Sequence, residues 1–247
     1  MLDPRPHLPL SGAPLLSVKR LSAHYGLAQI LFGISLEVYR GEIVALMGRN
    51  GAGKSTTLKS IMGLVSARAE SMTFGGHDIA GMASFRIARL GLGYVPEDRR
   101  IFTDLTVFEN LEVGRRAAPG GHAPWTMERL FMIFPNLAEM KGRRASAMSG
   151  GEQQMLTIAR TLMGNPAMVL LDEPSEGLAP VIVEQMAEAV LRMKEAGVAV
   201  LLSEQNLHFA SAVSDRAVVI EKGAVRYEGP IATLETDDAI RESYLTV

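Results

Sequence analysis

The residues of this chain best suited to chemistry form a short glycine-rich loop. Residues 48–55 read GRNGAGKS and fit the spacing G-x-x-x-x-G-K-[ST] of a phosphate-binding loop. Glycines let the backbone curl so that successive N–H groups point at one oxyanion. Lys54 adds a positive charge for the outer phosphates, and the Ser55 hydroxyl can ligate Mg²⁺. The loop therefore predicts a phosphorylated ligand bound together with Mg²⁺.

The segments on either side of this loop support the interpretation. Residues 42–47 predict a buried strand that enters the loop, and residues 55–62 predict a helix that leaves it. The N-terminus of such a helix also attracts anions. The alternative is a chance glycine-rich turn between a strand and a helix, but every fixed position of the motif is filled.

Two acidic residues follow an apolar segment further along the chain. Residues 167–171 predict a buried strand, and Asp172 and Glu173 stand at its end. The strand tip can place Asp172 beside the phosphate loop, where it would hold Mg²⁺ directly or through water. Glu173 would point elsewhere and could take a proton from an attacking water. Because acidic residues often end a strand at a solvated turn, this interpretation depends on the phosphate loop upstream.

A third motif, SGGEQ, begins at Ser149. Ser149 and Glu152 form a capping box, and a helix is predicted to follow them. The alternative interpretation of the motif is only a well-capped helix. Gly150 and Gly151 leave the first N–H groups of that helix uncovered, which would make a second anion site on the same chain.

Composition limits the classes of protein to consider. The 247 residues suit one large domain, or a core with a subdomain. A formal net charge of −2 argues against a nucleic-acid partner. The absence of cysteine excludes disulfides, thiolate catalysis and cysteine-ligated zinc, and fits a cytosolic protein. No apolar run approaches the roughly 18–20 residues that cross a bilayer, so any membrane role would fall to a partner. The proline-rich residues 1–14 predict a flexible N-terminal tail.

The order of predicted elements indicates an α/β fold. Residues 15–47 show the period-two alternation of half-exposed antiparallel strands, whereas residues 98–161 are mostly helical, with Thr106 and Glu109 as a capping box. Strands and helices then alternate, which predicts a mostly parallel sheet with ligands at the carboxyl ends of its strands. Methionines within residues 127–148 are expected to pack in the core. The predicted strands also include residues 16–18, 34–38, 73–76, 92–95, 198–203 and 217–220, and a helix is predicted over residues 181–194.

Along the chain the phosphate loop comes first, SGGEQ second and the acidic pair at residues 172–173 last. The three motifs in that order resemble those of ABC transporter ATPase subunits, and the resemblance covers nearly all of residues 15–247. The resemblance implies a P-loop NTPase core of the RecA type, with an N-terminal antiparallel β subdomain and an α-helical subdomain at about residues 98–161. It also implies two ATPase domains that sandwich two ATP molecules head to tail. Each phosphate loop would then face Ser149, Gly150 and Gly151 of the other copy. Tyr25 stands where the family stacks an aromatic ring on adenine. The expected ATP contacts within one copy are Tyr25, Gly48, Arg49, Asn50, Gly51, Ala52, Gly53, Lys54, Ser55 and Thr56.

Two positions depart from the commonest pattern of this family. Glu97 replaces the glutamine that usually reaches Mg²⁺ and the attacking water, and we expect it to contact the metal shell through water. Gln205 replaces the usual switch histidine. Its amide can still donate a hydrogen bond to the γ-phosphate, but it cannot change charge near neutral pH. The expected catalytic residues are therefore Lys54, Glu173 and Gln205, and the expected metal ligands are Ser55, Asp172 and Glu97.

Further short motifs resemble one subgroup, the LivF-type ATPases of branched-chain amino acid importers and their relatives for urea and short amides. They are VPE at residues 95–97, RRIF at 99–102, GLAP at 177–180 and EQN at 204–206. This resemblance implies a peripheral protein at the cytoplasmic face of the inner membrane. It would work with a second ATPase, two permease subunits and, indirectly, a periplasmic solute-binding protein. The transported substrate and the identity of the second ATPase, a sibling or an identical copy, stay open.

Two other classes of protein share the phosphate loop. Soluble ABC proteins that act on ribosomes or DNA usually carry two tandem ATPase halves or a long inserted arm, and this chain has neither. GTPase switches carry an N-K-x-D segment that reads guanine, which is absent here. A GTPase would also leave the SGG motif unexplained.

Overall fold

The computed structural model describes residues 12–118 and 123–236. Most of the predicted N-terminal tail, residues 1–11, therefore lies outside the described residues, as do residues 237–247. The strands are β1 (Leu16–Tyr25), β2 (Ala28–Val38), β3 (Ile43–Met47), β4 (Ala67–Arg68), β5 (Ser71–Phe74), β6 (His77–Asp78), β7 (Leu92–Val95), β8 (Met168–Asp172), β9 (Ala199–Glu204), β10 (Arg216–Glu221) and β11 (Ala224–Pro230). The helices are α1 (Lys54–Ile61), α2 (Ser84–Arg89), α3 (Val107–Gly114), α4 (Met127–Ile133), α5 (Pro135–Glu139), α6 (Gly150–Leu162), α7 (Pro180–Glu195), α8 (Leu207–Val213) and α9 (Ile231–Thr236).

A first, antiparallel sheet has the order β2-β1-β5-β6, with β4 paired to β1. The long strands β1 and β2 form a hairpin in which Leu16 lies opposite Val38 and Tyr25 opposite Ala28. Buried and exposed residues alternate along β2, as the period-two pattern predicts for a sheet with one solvated face. The antiparallel β subdomain expected from the sequence is confirmed.

A second sheet has the order β11-β10-β3-β9-β8-β7. All neighbours from β10 to β7 are parallel, and only β11 is antiparallel. Every residue of β3, β8 and β9 is buried, which explains their nearly continuous apolar sequences. Met47 pairs with Glu204, and Asp172 pairs with Ser203. The mostly parallel α/β core is confirmed, and the loops after β3, β8 and β9 leave it at the same edge.

Most predicted elements appear within one or two residues of the expected bounds. The strands predicted over residues 16–18 and 34–38 are too short, since they cover only parts of β1 and β2. The predicted strand over residues 73–76 is misplaced, since β5 ends at Phe74. Gly75 and Gly76 have φ angles of 56° and 82° and form the turn into β6 instead. The region predicted as helical from residue 98 contains its first helix only at Val107, with Thr106 as the predicted cap. Six elements were not predicted from the sequence: β4, β6, β11, α2, α8 and α9.

The core has two layers of buried side chains, one on each face of the parallel sheet. One layer packs the sheet against the antiparallel subdomain and α1, and the other packs it against α3–α8. Met127 and Met148 are buried in the second layer, as expected, whereas Met132 is exposed. None of the helices within residues 12–118 and 123–236 is long and apolar enough to cross a membrane.

Gly223, in the turn between β10 and β11, joins the two sheets. Its N–H donates to the carbonyl of Ala52 in the phosphate loop, and its carbonyl accepts from the N–H of Phe32 in β2, both at 2.8 Å. A Cβ atom at this position would lie 1.8 Å from the carbonyl oxygen of Ile30. Only glycine allows this close approach of three backbone segments.

We expect Gly223→Ala to lower the free energy of unfolding by more than Gly197→Ala does. Both glycines have a positive φ, 74° and 85°, so alanine is strained at each by about 1–2 kcal/mol. Only at position 223 does the added methyl group also collide with backbone, because the space around Gly197 is open. Urea unfolding of the two variants measures the difference, and equal losses would contradict the role assigned to Gly223.

Candidate functional site

The phosphate loop spans the gap between β3 and α1. Gly48 and Gly53 have φ angles of 152° and 111°. A Cβ atom at Gly48 would lie 2.3 Å from the carbonyl oxygen of Ile220, and one at Gly53 would lie 2.7 Å from Leu31 Cδ2. Both positions favour glycine for backbone conformation, and at Gly48 the contact with backbone also leaves no space for a side chain. No side chain caps the start of α1, so its first turn faces the loop without an acceptor of its own.

Lys54, the first residue of α1, is held inside the site. Its Nζ donates to the carbonyl oxygens of Gly48 at 2.9 Å and Arg49 at 3.2 Å. The same nitrogen lies 3.1 Å from Glu173 Oε1 in an ion pair whose side chains are only 3% and 8% exposed. Lys54 therefore links the loop to the acidic end of β8.

Asp172 ends β8 and is completely buried. Each of its carboxylate oxygens accepts one hydrogen bond from a hydroxyl group. Oδ1 accepts from Ser203 Oγ at 2.7 Å, and Oδ2 accepts from the Tyr94 hydroxyl at 3.0 Å. Burial and the negative charge of Asp172 raise the pKa of the Tyr94 phenol well above its ordinary value. Neither Tyr94 nor Ser203 was singled out from the sequence, because their contact depends on the register of β7 and β9 with β8.

Glu173 turns away from Asp172, as the sequence predicts. Its φ of 46° lies in the left-handed region, which costs a residue other than glycine about 1–3 kcal/mol. Its N–H donates to both the carbonyl oxygen and the Oγ of Ser203 at 3.1 Å, which holds this conformation. Its Oε2 accepts from Gln205 Nε2 at 3.4 Å. The structure thus brings Lys54, Glu173 and Gln205 together.

Glu204 is a buried acid that sequence analysis missed. Its Oε1 accepts from the N–H of Ser175 at 3.0 Å, and its Oε2 accepts from the N–H groups of Gln205 and Asn206 at 3.2 Å. Burial nevertheless raises its pKa. The carboxylate fastens the loop after Glu173 to the loop that carries Gln205. An acidic residue at the end of an otherwise apolar strand was the available signal.

The SGG motif lies at the start of α6. Ser149 Oγ accepts from the N–H of Glu152, and the Glu152 side chain accepts from the N–H of Ser149, so the predicted capping box is confirmed. A Cβ at Gly150 would lie 2.6 Å from Arg99 Nη1, and one at Gly151 would lie 2.6 Å from Ile182 Cγ2. The glycines admit these two side chains. Ser149 itself is exposed at the surface.

Tyr25 and Glu97 stand apart from the residues joined around Lys54. Both side chains are exposed, at the end of β1 and in the loop after β7. Among the described residues, no hydrogen bond or ion pair joins Glu97 to Ser55 or Asp172. The charge of Glu97 does contribute, after burial and Glu173, to a raised pKa of Glu176. That effect places Glu97 near the same edge of the sheet, while its predicted metal contact stays a prediction.

The donor set suits Mg²⁺. Ser55 offers a half-buried hydroxyl in the first turn of α1, and Asp172 offers a carboxylate whose two oxygens each keep a free lone pair. Within the part of the chain that the structure describes, no group of three or more His, Cys, Asp or Glu residues could hold a metal. Mg²⁺ takes few protein ligands and completes its shell with water and phosphate oxygens, so the Ser55 hydroxyl and the Asp172 carboxylate would suffice as its protein ligands.

Comparison with known proteins identifies the family. The sequence model of the ABC transporter family matches residues 31–176, more than half of the chain. The chain is an ABC transporter ATP-binding subunit. It is 43% identical to the high-affinity branched-chain amino acid transport ATP-binding protein BraG of Pseudomonas aeruginosa, over 94% of this chain and 99% of that protein.

Two further similarities agree with this ABC assignment. The subunit is 32% identical to the probable branched-chain amino acid transport ATP-binding protein LivF of Archaeoglobus fulgidus, over 87% of this chain and 92% of that protein. It superposes with a TM-score of 0.78 and 26% identity on a crystal structure of an ABC transporter ATP-binding cassette in its ADP conformation, covering 94% and 98% of the two chains. The ABC subunit therefore binds and hydrolyses ATP.

We expect Lys54→Met to abolish ATP binding and to lower the free energy of unfolding by about 3–5 kcal/mol, because it leaves the buried Glu173 carboxylate unpaired. Adding Glu173→Gln in the same chain should restore much of the stability but none of the ATP binding. Urea unfolding and titration with a fluorescent ATP analogue measure the two effects.

The control for this pair is Arg192→Met, which removes exposed ion pairs with Glu188 and Glu195 and should cost less than about 1 kcal/mol. A double variant as unstable as Lys54→Met alone would show that the ion pair with Glu173 is not the origin of the loss.

Proposed function

We propose that this subunit hydrolyses ATP at the cytoplasmic face of the cell membrane to energise the import of branched-chain amino acids. The observation that carries the proposal is the nearly full-length similarity to BraG at 43% identity. The similarity to LivF over 87% of the chain supports it. Lys54, Asp172, Glu173 and Gln205 at one sheet edge supply the chemistry that such a subunit needs.

Hydrolysis would proceed by attack of water on the γ-phosphate. Lys54 and the N–H groups of the loop would bind the phosphate oxygens, which compete with Glu173 for the same ammonium group. Glu173 would accept the proton of the attacking water, and the Gln205 amide would hold that water or the γ-phosphate in place. Ser55 and Asp172 would hold Mg²⁺, which supplies charge neutralisation at the phosphate oxygens.

A second ATPase domain would complete the site. The chain has one phosphate loop and one SGG motif, and the exposed Ser149 and half-buried Gly150 lie at an open helix start. Head-to-tail pairing would place Ser149, Gly150 and Gly151 of one copy against the ATP held by the other. The family resemblance favours a sibling subunit as the second copy.

Docking to two permease subunits would use the region around α3. Phe102, Phe108 and Val113 are about half exposed there, at 48%, 48% and 57%. The Arg160 guanidinium lies 4.9 Å from the centre of the Phe102 ring, and its Nη2 donates to the carbonyl of Arg100 at 2.6 Å. Arg160 belongs to α6, so a short cytoplasmic permease helix that rests on Phe102 would touch a segment fixed to the SGG helix.

We expect Glu173→Gln to lower the kcat of ATP hydrolysis by about 10²–10⁴-fold while ATP binding persists, because the proton acceptor is lost but Lys54 and the loop N–H groups that would bind the phosphates remain. Phosphate release and equilibrium binding of a fluorescent ATP analogue measure the two properties. Glu188→Gln is the matched control, since this acid is 70% exposed on α7. Hydrolysis by Glu173→Gln at the parent rate would refute the assignment of Glu173 as general base.

Transport is tested by placing the subunit, its permeases and its solute-binding protein in proteoliposomes with ATP inside. We expect uptake of radiolabelled leucine, isoleucine and valine, with uptake lost when the subunit carries Glu173→Gln. Uptake of urea or acetamide without uptake of leucine would assign the transporter to the related subgroup and refute the substrate proposed here.

A further inference from the structure

Tyr94 makes a contact that the proposed mechanism does not use. It lies in β7 beside β8, opposite Leu170, two residues before Asp172. From there the phenol reaches along the sheet to the buried carboxylate, and its hydroxyl lies 3.0 Å from Asp172 Oδ2.

The two hydroxyl groups that donate hydrogen bonds to Asp172 restrict the rotation of its carboxylate. Ser203 fixes Oδ1 at 2.7 Å, from the opposite neighbouring strand, and Tyr94 fixes Oδ2. A carboxylate oxygen carries two lone pairs, so each oxygen retains one for a metal ion. Held at both oxygens, the carboxylate points its free lone pairs in fixed directions. Hydrogen bonds of this kind orient metal-binding groups, and their loss typically weakens metal affinity by about 10–100-fold.

We propose that Tyr94 is a positioning residue for the Mg²⁺ site and that its hydroxyl sets the affinity of that site through Asp172. The inference rests on the proposed function, in which Asp172 holds Mg²⁺. It adds a residue that touches neither ATP nor the metal.

Tyr94→Phe isolates this role because it removes one oxygen atom and keeps the ring. The chain also offers a matched control. Tyr39 makes the same kind of bond, with its hydroxyl 3.0 Å from Glu37 Oε2, in the antiparallel subdomain. Tyr39→Phe therefore removes an equivalent phenol–carboxylate bond away from Asp172.

The experiment measures binding of Mn²⁺ as a probe for the metal, by electron paramagnetic resonance, with the non-hydrolysable analogue AMP-PNP present. Binding of a fluorescent ATP analogue in EDTA is measured in parallel. We expect Tyr94→Phe to weaken Mn²⁺ binding by about 10–100-fold and to leave metal-free nucleotide affinity unchanged. Tyr39→Phe should match the parent in both measurements.

Mn²⁺ affinity of Tyr94→Phe equal to that of the parent would overturn the inference. A parallel loss of nucleotide affinity in EDTA would also overturn it, since that would indicate a general structural role. Asp172→Asn separates this result from a failure of the proposed function. If Asp172→Asn binds Mn²⁺ as tightly as the parent, the metal site itself is wrongly placed. If Asp172→Asn loses Mn²⁺ binding while Tyr94→Phe keeps it, only the role of Tyr94 is refuted.

Discussion

The parallel register of β3, β9 and β8 is the constraint on which the site depends. Met47 lies opposite Glu204, and Ser203 lies opposite Asp172, so the three strands end almost level. Because carboxyl ends of parallel strands share one edge, the phosphate loop, the acidic pair and the Gln205 loop emerge side by side. A shift of one residue between β8 and β9 would turn Asp172 to the other face of the sheet. The buried apolar residues of these strands fix the register and so fix the chemistry.

Hydrogen bonds to backbone groups then hold the emerging loops in place. Ser203 contacts both Asp172 and the N–H of Glu173, and Glu204 ties Ser175 to the loop of Gln205. The left-handed conformation of Glu173 persists because these contacts determine it from several sides. Ser203 and Glu204, which have no proposed chemical role, therefore determine where Glu173 and the loop of Gln205 lie.

The features predictable from sequence were those with local causes. The phosphate loop, the strand before Asp172 and the capping box at Ser149 depend on neighbours within a few residues, and each was found. Tyr94, Ser203 and Glu204 meet their partners only through strand pairing, which a single sequence does not specify. The end of β5 was misjudged because Gly75 and Gly76 were counted as strand rather than turn. The helix α8 was missed because Asn206, its cap, was noted only as part of the EQN motif.

The contacts of Gly223 have a consequence for the length of nucleotide that would fit the site. One backbone hydrogen bond runs from Gly223 to Ala52 in the phosphate loop, and another runs from Phe32 in β2 to Gly223. The β1–β2 hairpin carries Tyr25, the expected adenine contact, at its tip. The distance between the Tyr25 end of this hairpin and the phosphate loop would thus be set by main-chain contacts, and it would limit the length of a ligand that reaches both. Side chains on the solvated face of the antiparallel sheet can be replaced without altering that span.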